Sequence, residues 1–335
     1  MRVLTLTTSF PGGTGDPAGG FVEELASALR PLGIDSDIEL LRAGPGGALA
    51  TWERGSAWRR ARLVADTLRL LARSSRRADL ILAHWLVPCG LPALWDRRPV
   101  VGVAHGGDVR ILARHPGLAG LVPRLAGVIA VSDAIARELT HPRTLVTPMG
   151  VAPTSGAVRI ARRPDQPLRL TFVGRLVPIK GLATLLEATR QLPEVRLTVV
   201  GDGPERSLDA RAPHARFLGA LTPSEVRSVL AATDLLCVPS VGAEGMPRVV
   251  FEAAALGVPC LASRVGGLPE HVPPGGLVTP GDVTAWQGAI RAAARQLPRT
   301  AQVPTWPAVA QKVAVFLNTC LTRPPPCAAS GPVRS

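Results

Sequence analysis

The chain has no tyrosine, a single asparagine, and only two lysines, Lys180 and Lys312, in 335 residues. Aromatic side chains make up 4% of it, and no zinc-finger or RNA-recognition signature is present. A nucleic-acid reader that stacks bases on aromatic platforms is therefore disfavoured. No apolar run reaches the roughly 18 residues of a membrane span. The opening MRVLTLTTSF has neither the charged start nor the small-residue cleavage site of a secretory signal, and reads as a first β-strand. The five cysteines, Cys89, Cys237, Cys260, Cys320 and Cys327, are odd in number and form no C-x-x-C. Neither a disulfide framework nor a zinc site is indicated, no other metal-ligating cluster stands out, and a cytoplasmic setting is expected.

Positive charge is abundant. The formal net charge is +13, which points to an anionic partner: nucleic acid, a membrane surface or a phosphorylated substrate. The charge is spread evenly: residues 1–150 hold 18 basic and 13 acidic side chains, and residues 151–335 hold 20 and 12. Neither half is a basic arm, which counts further against nucleic acid. The near-exclusive use of arginine and the 33 prolines are the marks of a coding bias, so part of the charge is background.

Short apolar runs alternate with helical segments along the chain. RVLTLTTSF, IDSDIELL, ADLILAHW, PVVGVAH, GVIAVS and RTLVTP read as strands, with FVEELASALRPLG, AWRRARLVADTLRLLAR and DAIAREL as helices between them. Apolar runs too short for helices and bounded by Gly and Pro are typical of buried parallel strands, so a doubly wound α/β sheet is expected over residues 1–152. Residues 153–167 have no periodicity and read as a linker. The alternation restarts with LRLTFVG and ends near residue 300, a second domain of the same kind. A helix over 301–322, packing back towards the first domain, and a disordered tail over 323–335 complete the expected organisation. Two such sheets would face each other across a cleft, with ligands at the carboxyl ends of the strands.

Two stretches carry chemistry. In EGMPRVVFE, Glu244 and Glu252 flank a helix expected to start at Pro247 and to stop before Gly257. A helix start offers N–H groups and a partial positive charge to a phosphate. Carboxylates on either side suit hydroxyl groups on either side of that phosphate better than acid–base hydrolysis. The layout of a nucleotide sugar is ribose, diphosphate, sugar. In FVGRLVPIKG, Arg175 and Lys180 stand at the carboxyl end of a strand, where two cations suit a diphosphate whose charge grows as it departs. The plain alternatives are solvated acids, a helix-capping arginine and a solvated lysine.

With GGFVEELASALRPLG, HGGD, VSDAIAREL, PMGV, VGRLVPIKGLATLLEA, VVGDGPE, FLG, PSVGAEGMPRVVFEAAALGVPCLAS and GGLPE, the sequence resembles the retaining glycosyltransferases of family 4, which have the two-domain GT-B fold. The resemblance runs to about residue 320. It implies that Arg175 and Lys180 bind the donor diphosphate and that Glu252 holds the ribose. Glu244, with the backbone of Gly245 and Met246, would hold the transferred sugar, and the N–H groups of Arg248 and Val249 would meet the phosphate. His105 would reach the sugar from the first domain, with Asp108 near the acceptor. Gly19 and Gly20, or alternatively Gly12 and Gly13, would let backbone approach the donor. His84 could touch the acceptor or be an interior histidine, Ser132 reads as a helix cap, and the resemblance would put Asp202 near the nucleobase. The family's PNGVD is PMGVA here, and Pro247 replaces a common glycine, which removes one N–H beside the sugar. The resemblance implies no cofactor beyond the nucleotide-sugar co-substrate and no divalent metal.

The expected function is transfer of a sugar from a UDP- or GDP-sugar to a glycan, lipid-linked or small-molecule acceptor, in polysaccharide or glycoconjugate synthesis. A catalytically silent nucleotide-sugar-binding protein is the alternative. WERGSAWRRARLVADTLRLLARSSRR carries eight arginines against Glu53 and Asp66, with Trp52, Trp58, Leu63, Leu70 and Leu71 among them. Such a helix can lie on an anionic membrane, although any helix of a doubly wound domain shows an apolar and a charged face.

Overall fold

A computed structural model of the protein describes residues 1–9, 19–42, 51–52, 55–74, 77–152, 159–163, 165–242 and 244–322. These divide into two compact units: residues up to 150 together with 305–322, and residues 151–304.

The first unit contains β1 (Arg2–Thr7), α1 (Gly20–Leu29), β2 (Asp35–Leu40), α2 (Ala57–Arg73), β3 (Leu80–His84), β4 (Val100–Ala104), α3 (Gly107–Arg114), β5 (Gly127–Ala130), α4 (Asp133–Glu138) and β6 (Thr144–Val146), apart from short helical turns. All strands are parallel, in the order β2-β1-β3-β4-β5-β6. Every residue of β3, β4 and β5 is buried. Strands covered on both faces need apolar side chains at every position, which is why they read as unbroken runs. Helix α1 buries Val22, Leu25 and Leu29, one stripe at helical spacing. Gly33, at φ 76°, ends the turn that follows it. Ser132 caps α4 by accepting from the Ile135 N–H at 3.3 Å.

The second unit contains β7 (Leu168–Val173), α5 (Leu182–Thr189), β8 (Val195–Val200), β9 (Ala215–Gly219), α6 (Pro223–Ala231), β10 (Leu235–Val238), α7 (Arg248–Ala255), β11 (Cys260–Ser263), β12 (Leu277–Val278) and α8 (Val283–Arg295). Its parallel sheet has the order β12-β11-β10-β7-β8-β9. Alternate strand residues feed two cores. Leu170, Phe172, Val199 and Cys237 pack with Leu185, Trp286 and Ile290. Leu236, Val238 and Ala262 pack with Val250 and Ala253 on the other face.

The domain boundaries shift at both ends of this unit. Part of the expected linker is docked onto it: the Ile160 N–H donates to the Ala231 carbonyl at 2.8 Å. Buried Asp234 pairs with Arg169 at 2.8 Å and with Arg162 at 3.5 Å. Residues 153–158 lie outside the described residues, as does the tail over 323–335. The last helix, α9, begins at Trp306 (Trp306–Thr322), because Ala301 and Val303 stay with the second unit. Helix α9 belongs to the first unit. There Trp306 Nε1 donates to Glu24 Oε2 at 3.0 Å. Its ring fills the space a Cβ on Gly150 would take, which gives the glycine of PMGV a packing role.

Candidate active site

In the second unit the chain runs from β7 outward to β8 and β9, then returns to place β10 on the other side of β7. Such a reversal opens a crevice at the carboxyl ends of the two neighbours. Arg175 and Lys180 follow β7, and Ser240 and Glu244 follow β10. The two loops are tied together, since the Val241 N–H donates to the Ile179 carbonyl at 2.9 Å. Gly181 takes φ 67° at the head of α5, where a Cβ would overlap the Pro239 carbonyl. Only glycine accepts both that backbone and that contact. The loop after β8 joins as well: the Leu176 N–H donates to the Asp202 carbonyl and the Glu205 N–H to the Leu176 carbonyl.

Lys180 Nζ lies 2.6 Å from Glu244 Oε1, and the Ser240 hydroxyl donates to the same oxygen at 2.6 Å. Sequence reasoning assigned the cation to the diphosphate and the acid to the sugar; the structure joins them in one partly buried pair. Behind Glu244, the Gly267 N–H donates to its carbonyl at 3.1 Å. Gly266, at φ 52°, leaves no room for a Cβ against the Glu244 backbone. Ser240 and this glycine pair were not assigned roles from sequence. The available signal was two consecutive glycines just past a buried strand.

Helix α7 begins at Arg248, one position later than expected, with Pro247 as its extended N-cap residue (φ −65°, ψ 118°). Arg248 and Val249 therefore occupy the first two helical positions, whose N–H groups point out of the helix start. Gly245 is buried, while Met246 and Val249 rest partly against the core. Glu252 Oε1 lies 3.9 Å from Arg248 Nε, one turn back. At the far end, the N–H groups of Gly257 and Val258 donate to Ala254 and Ala253, closing the helix with a left-handed glycine at φ 72°. Arg175 is exposed on its loop.

The remaining expected residues belong to the first unit. His84 ends β3, and His105 directly follows β4. His84 Nδ1 and His105 Nε2 are 3.1 Å apart, and the rings stack at 5.4 Å. Phe21 and Trp85 pack on His105 with centroids 5.1 and 4.7 Å away. Burial pushes the His105 imidazole down to about 3. Burial, helped by the neighbouring His105, pushes that of His84 well below its ordinary value.

Asp108, expected near an acceptor, is wholly buried. Its Oδ1 accepts from the N–H groups of His105, Gly106 and Val109, and its Oδ2 from that of Leu86. Burial raises its carboxyl above the usual range, with those backbone donors pulling the other way. The carboxylate pins the loops after β3 and β4 together. Gly19 adopts φ 72° at the head of α1, and a Cβ on Gly20 would meet no atom within 4 Å. Gly12 and Gly13, the rival pair, lie outside the described residues.

Two parallel six-stranded sheets of this order, each with its own core, are the two Rossmann-like units of the GT-B class. The family model for Glycosyltransferase Family 4 matches residues 18–155, and that for Glycosyl transferases group 1 matches residues 167–296. The chain belongs to glycosyltransferase family 4. Among its relatives is TuaC of Bacillus subtilis, provisionally named a teichuronic acid biosynthesis glycosyltransferase. It is 34% identical over 229 residues, which cover 62% of this chain and 58% of that one. Another is the MMP alpha-(1->4)-mannosyltransferase of Mycolicibacterium hassiacum, 31% identical over 67% of this chain and 60% of its own length. The chain thus spans less than two thirds of these relatives. Among solved structures, HepE of Anabaena in complex with UDP and glucose superimposes with a TM-score of 0.66 at 21% identity, over 96% of this chain and 99% of that one.

Proposed function

We propose that the protein is a retaining glycosyltransferase that moves a sugar from a UDP- or GDP-sugar to a glycan, lipid-linked or small-molecule acceptor in polysaccharide or glycolipid synthesis. The observation that carries this reading is the grouping at the β7–β10 reversal of Arg175, Lys180, Glu244, the start of α7 and Glu252. In this reading the two cations and the helix start take up the charge of the departing diphosphate, the largest contribution such a site can make. Glu252 holds the ribose and Glu244 the transferred sugar, so both acids bind rather than cut. Attack comes from the face the diphosphate leaves, and the departing phosphate takes the acceptor's proton. His105 keeps the sugar contact that the family resemblance implies. The names of the relatives and the UDP complex of HepE support a nucleotide-sugar donor. No metal enters this scheme.

The test is a panel of UDP-, GDP- and ADP-sugars, read by thermal shift and by donor hydrolysis, with and without EDTA. One donor class should raise the unfolding temperature and be hydrolysed at the same rate in EDTA. Stabilisation with no turnover of any donor, alone or with acceptors, would favour the silent-binder alternative. Loss of turnover in EDTA would overturn metal independence.

A membrane-facing acceptor side is the second part of this proposal. Helix α2 turns Leu63 and Leu71 into the core and leaves Trp58 68% exposed, with Arg59, Arg62, Arg69 and Arg73 also exposed. The Arg62 guanidinium lies over the Trp58 ring at 5.7 Å. Trp52 is buried, and Asp66 pairs with Arg69 and Arg62, so on this reading the membrane would meet Trp58 and the exposed arginines rather than the whole segment.

A further inference from the structure

The two histidines of the first unit are held with more care than a sugar contact alone requires. His84 is fully buried, and its Nε2 has no hydrogen-bond partner among the described residues. The next residue, Trp85, has φ 67°, a conformation that non-glycine residues adopt only when their surroundings enforce it. Here the Trp85 N–H donates to the Val103 carbonyl at 2.9 Å, and the Gly90 N–H donates to the Trp85 carbonyl at 3.1 Å. This turn keeps His84 pointing inward and lays the Trp85 ring on His105. Asp108 fixes the two loops from the opposite side, through Leu86 and His105.

We propose that His84 is a positioning residue for His105: its Nδ1–H donates to His105 Nε2, so that His105 carries its own proton on Nδ1 and presents that N–H to a ligand oxygen.

The proton placement follows from what is paired. Both rings are kept neutral by burial, so each carries one N–H, and a single proton lies between the two nitrogens. If His105 were the donor, the proton of His84 would sit on Nε2, a buried N–H with no acceptor. In the reverse arrangement the unpaired Nε2 is a bare lone pair. Orphaned buried donors are the rarer case. The His105 ring is packed by Phe21, His84 and Trp85 while the residue keeps some exposed surface, and Nδ1 is the ring nitrogen that His84 does not engage. An N–H donor there suits a hydroxyl or phosphate oxygen of a nucleotide sugar.

That His105 meets the donor rests on the function proposed above; the proton position does not. The experiment is two-bond 15N–1H correlation of the imidazole nitrogens in the full chain labelled at histidine, assigned with His84→Phe and His84→Asn. Wild type should show His105 protonated on Nδ1. His84→Phe keeps a ring but loses the donor, and should move His105 towards the Nε2-protonated form. His84→Asn places an amide where Nδ1 stood and should restore the wild-type pattern. Hydrolysis of UDP-glucose and GDP-mannose should fall about 10-fold in His84→Phe, the lower end for losing a partner that sets a tautomer, and recover in His84→Asn. A wild-type His105 protonated on Nε2 overturns the proposal, as does a folded His84→Phe variant with an unchanged tautomer. If the tautomer shifts as expected but His105→Ala hydrolyses donor at the wild-type rate, the placement of His105 at the donor has failed while its orientation by His84 stands.

Discussion

Lys180 Nζ lies 2.6 Å from Glu244 Oε1, and the Ser240 hydroxyl occupies the same oxygen at the same distance. A cation assigned to the diphosphate and an acid assigned to the sugar are thus preset against each other, in a loop pair tied by the Val241–Ile179 hydrogen bond. On the proposed function, donor binding competes for both groups, which couples them energetically.

The coupling is measurable. Lys180→Ala should lower donor turnover by on the order of 10²–10³, the scale for removing one stabiliser of developing charge. Arg175→Ala should fall in the same range with little change in thermal unfolding, because Arg175 is exposed. The double variant Lys180→Ala/Glu244→Gln should lose less than the product of its single effects, since contacting groups are not additive. Strict additivity in turnover would mean that the pair is not maintained in solution.

The two glutamates should separate by ligand. Glu252→Gln should weaken free nucleotide and nucleotide sugar alike, whereas Glu244→Gln should leave free-nucleotide affinity nearly intact and lower turnover. Titration calorimetry showing the opposite pattern would exchange the two roles.

Gly266 offers a test through the backbone. An alanine there is strained at φ 52° and overlaps the Glu244 backbone, so Gly266→Ala should reduce turnover as Glu244→Gln does. Gly257→Ala is the control: φ is 72°, but a Cβ meets nothing within 4 Å. It should cost about 1 kcal/mol of stability, as a left-handed residue does on gaining a side chain, and leave turnover unchanged. Equal activity in the two variants would dismiss the support assigned to Gly266.

Acid should destabilise the first unit through its histidines. In the unfolded chain both titrate near 6.5, whereas burial holds folded His105 at about 3 and His84 well below its ordinary value. Between those values the unfolded chain binds more protons, so stability rises with pH. The contribution is complete above pH 6.5 and is lost as pH falls from there, by up to about 1.4 kcal/mol per pH unit for each histidine. Urea unfolding between pH 7.5 and 5 should therefore show a shallower pH slope in His84→Phe than in wild type. Equal slopes would mean that His84 is not held neutral by the fold.

Sedimentation with anionic liposomes at low and high salt tests the face of α2. Binding at low salt that weakens with added salt, and is reduced in Trp58→Ala, is expected for a basic surface with one exposed tryptophan. No binding at low salt would leave a soluble acceptor as the better assignment.

The sequence by itself determined the repeated strand–helix order, the α/β class and the local punctuation of each element. Buried parallel strands announce themselves as unbroken apolar runs such as LILA and VVGVA, and helix ends such as Ser132 and Gly257 are set by neighbours within a few residues. The spacing of Glu244 and Glu252 around a helix start was legible for the same reason. Only the tertiary structure decided which side chains meet. Lys180 reaches Glu244 because β10 returns to the side of β7, and His84 reaches His105 because β3 and β4 are neighbours. It also decided that Asp108 turns inward onto four N–H groups and that α9 joins the first unit through Trp306. Strand order and burial depend on which apolar faces cover each other across the whole chain, and no local spacing encodes that choice.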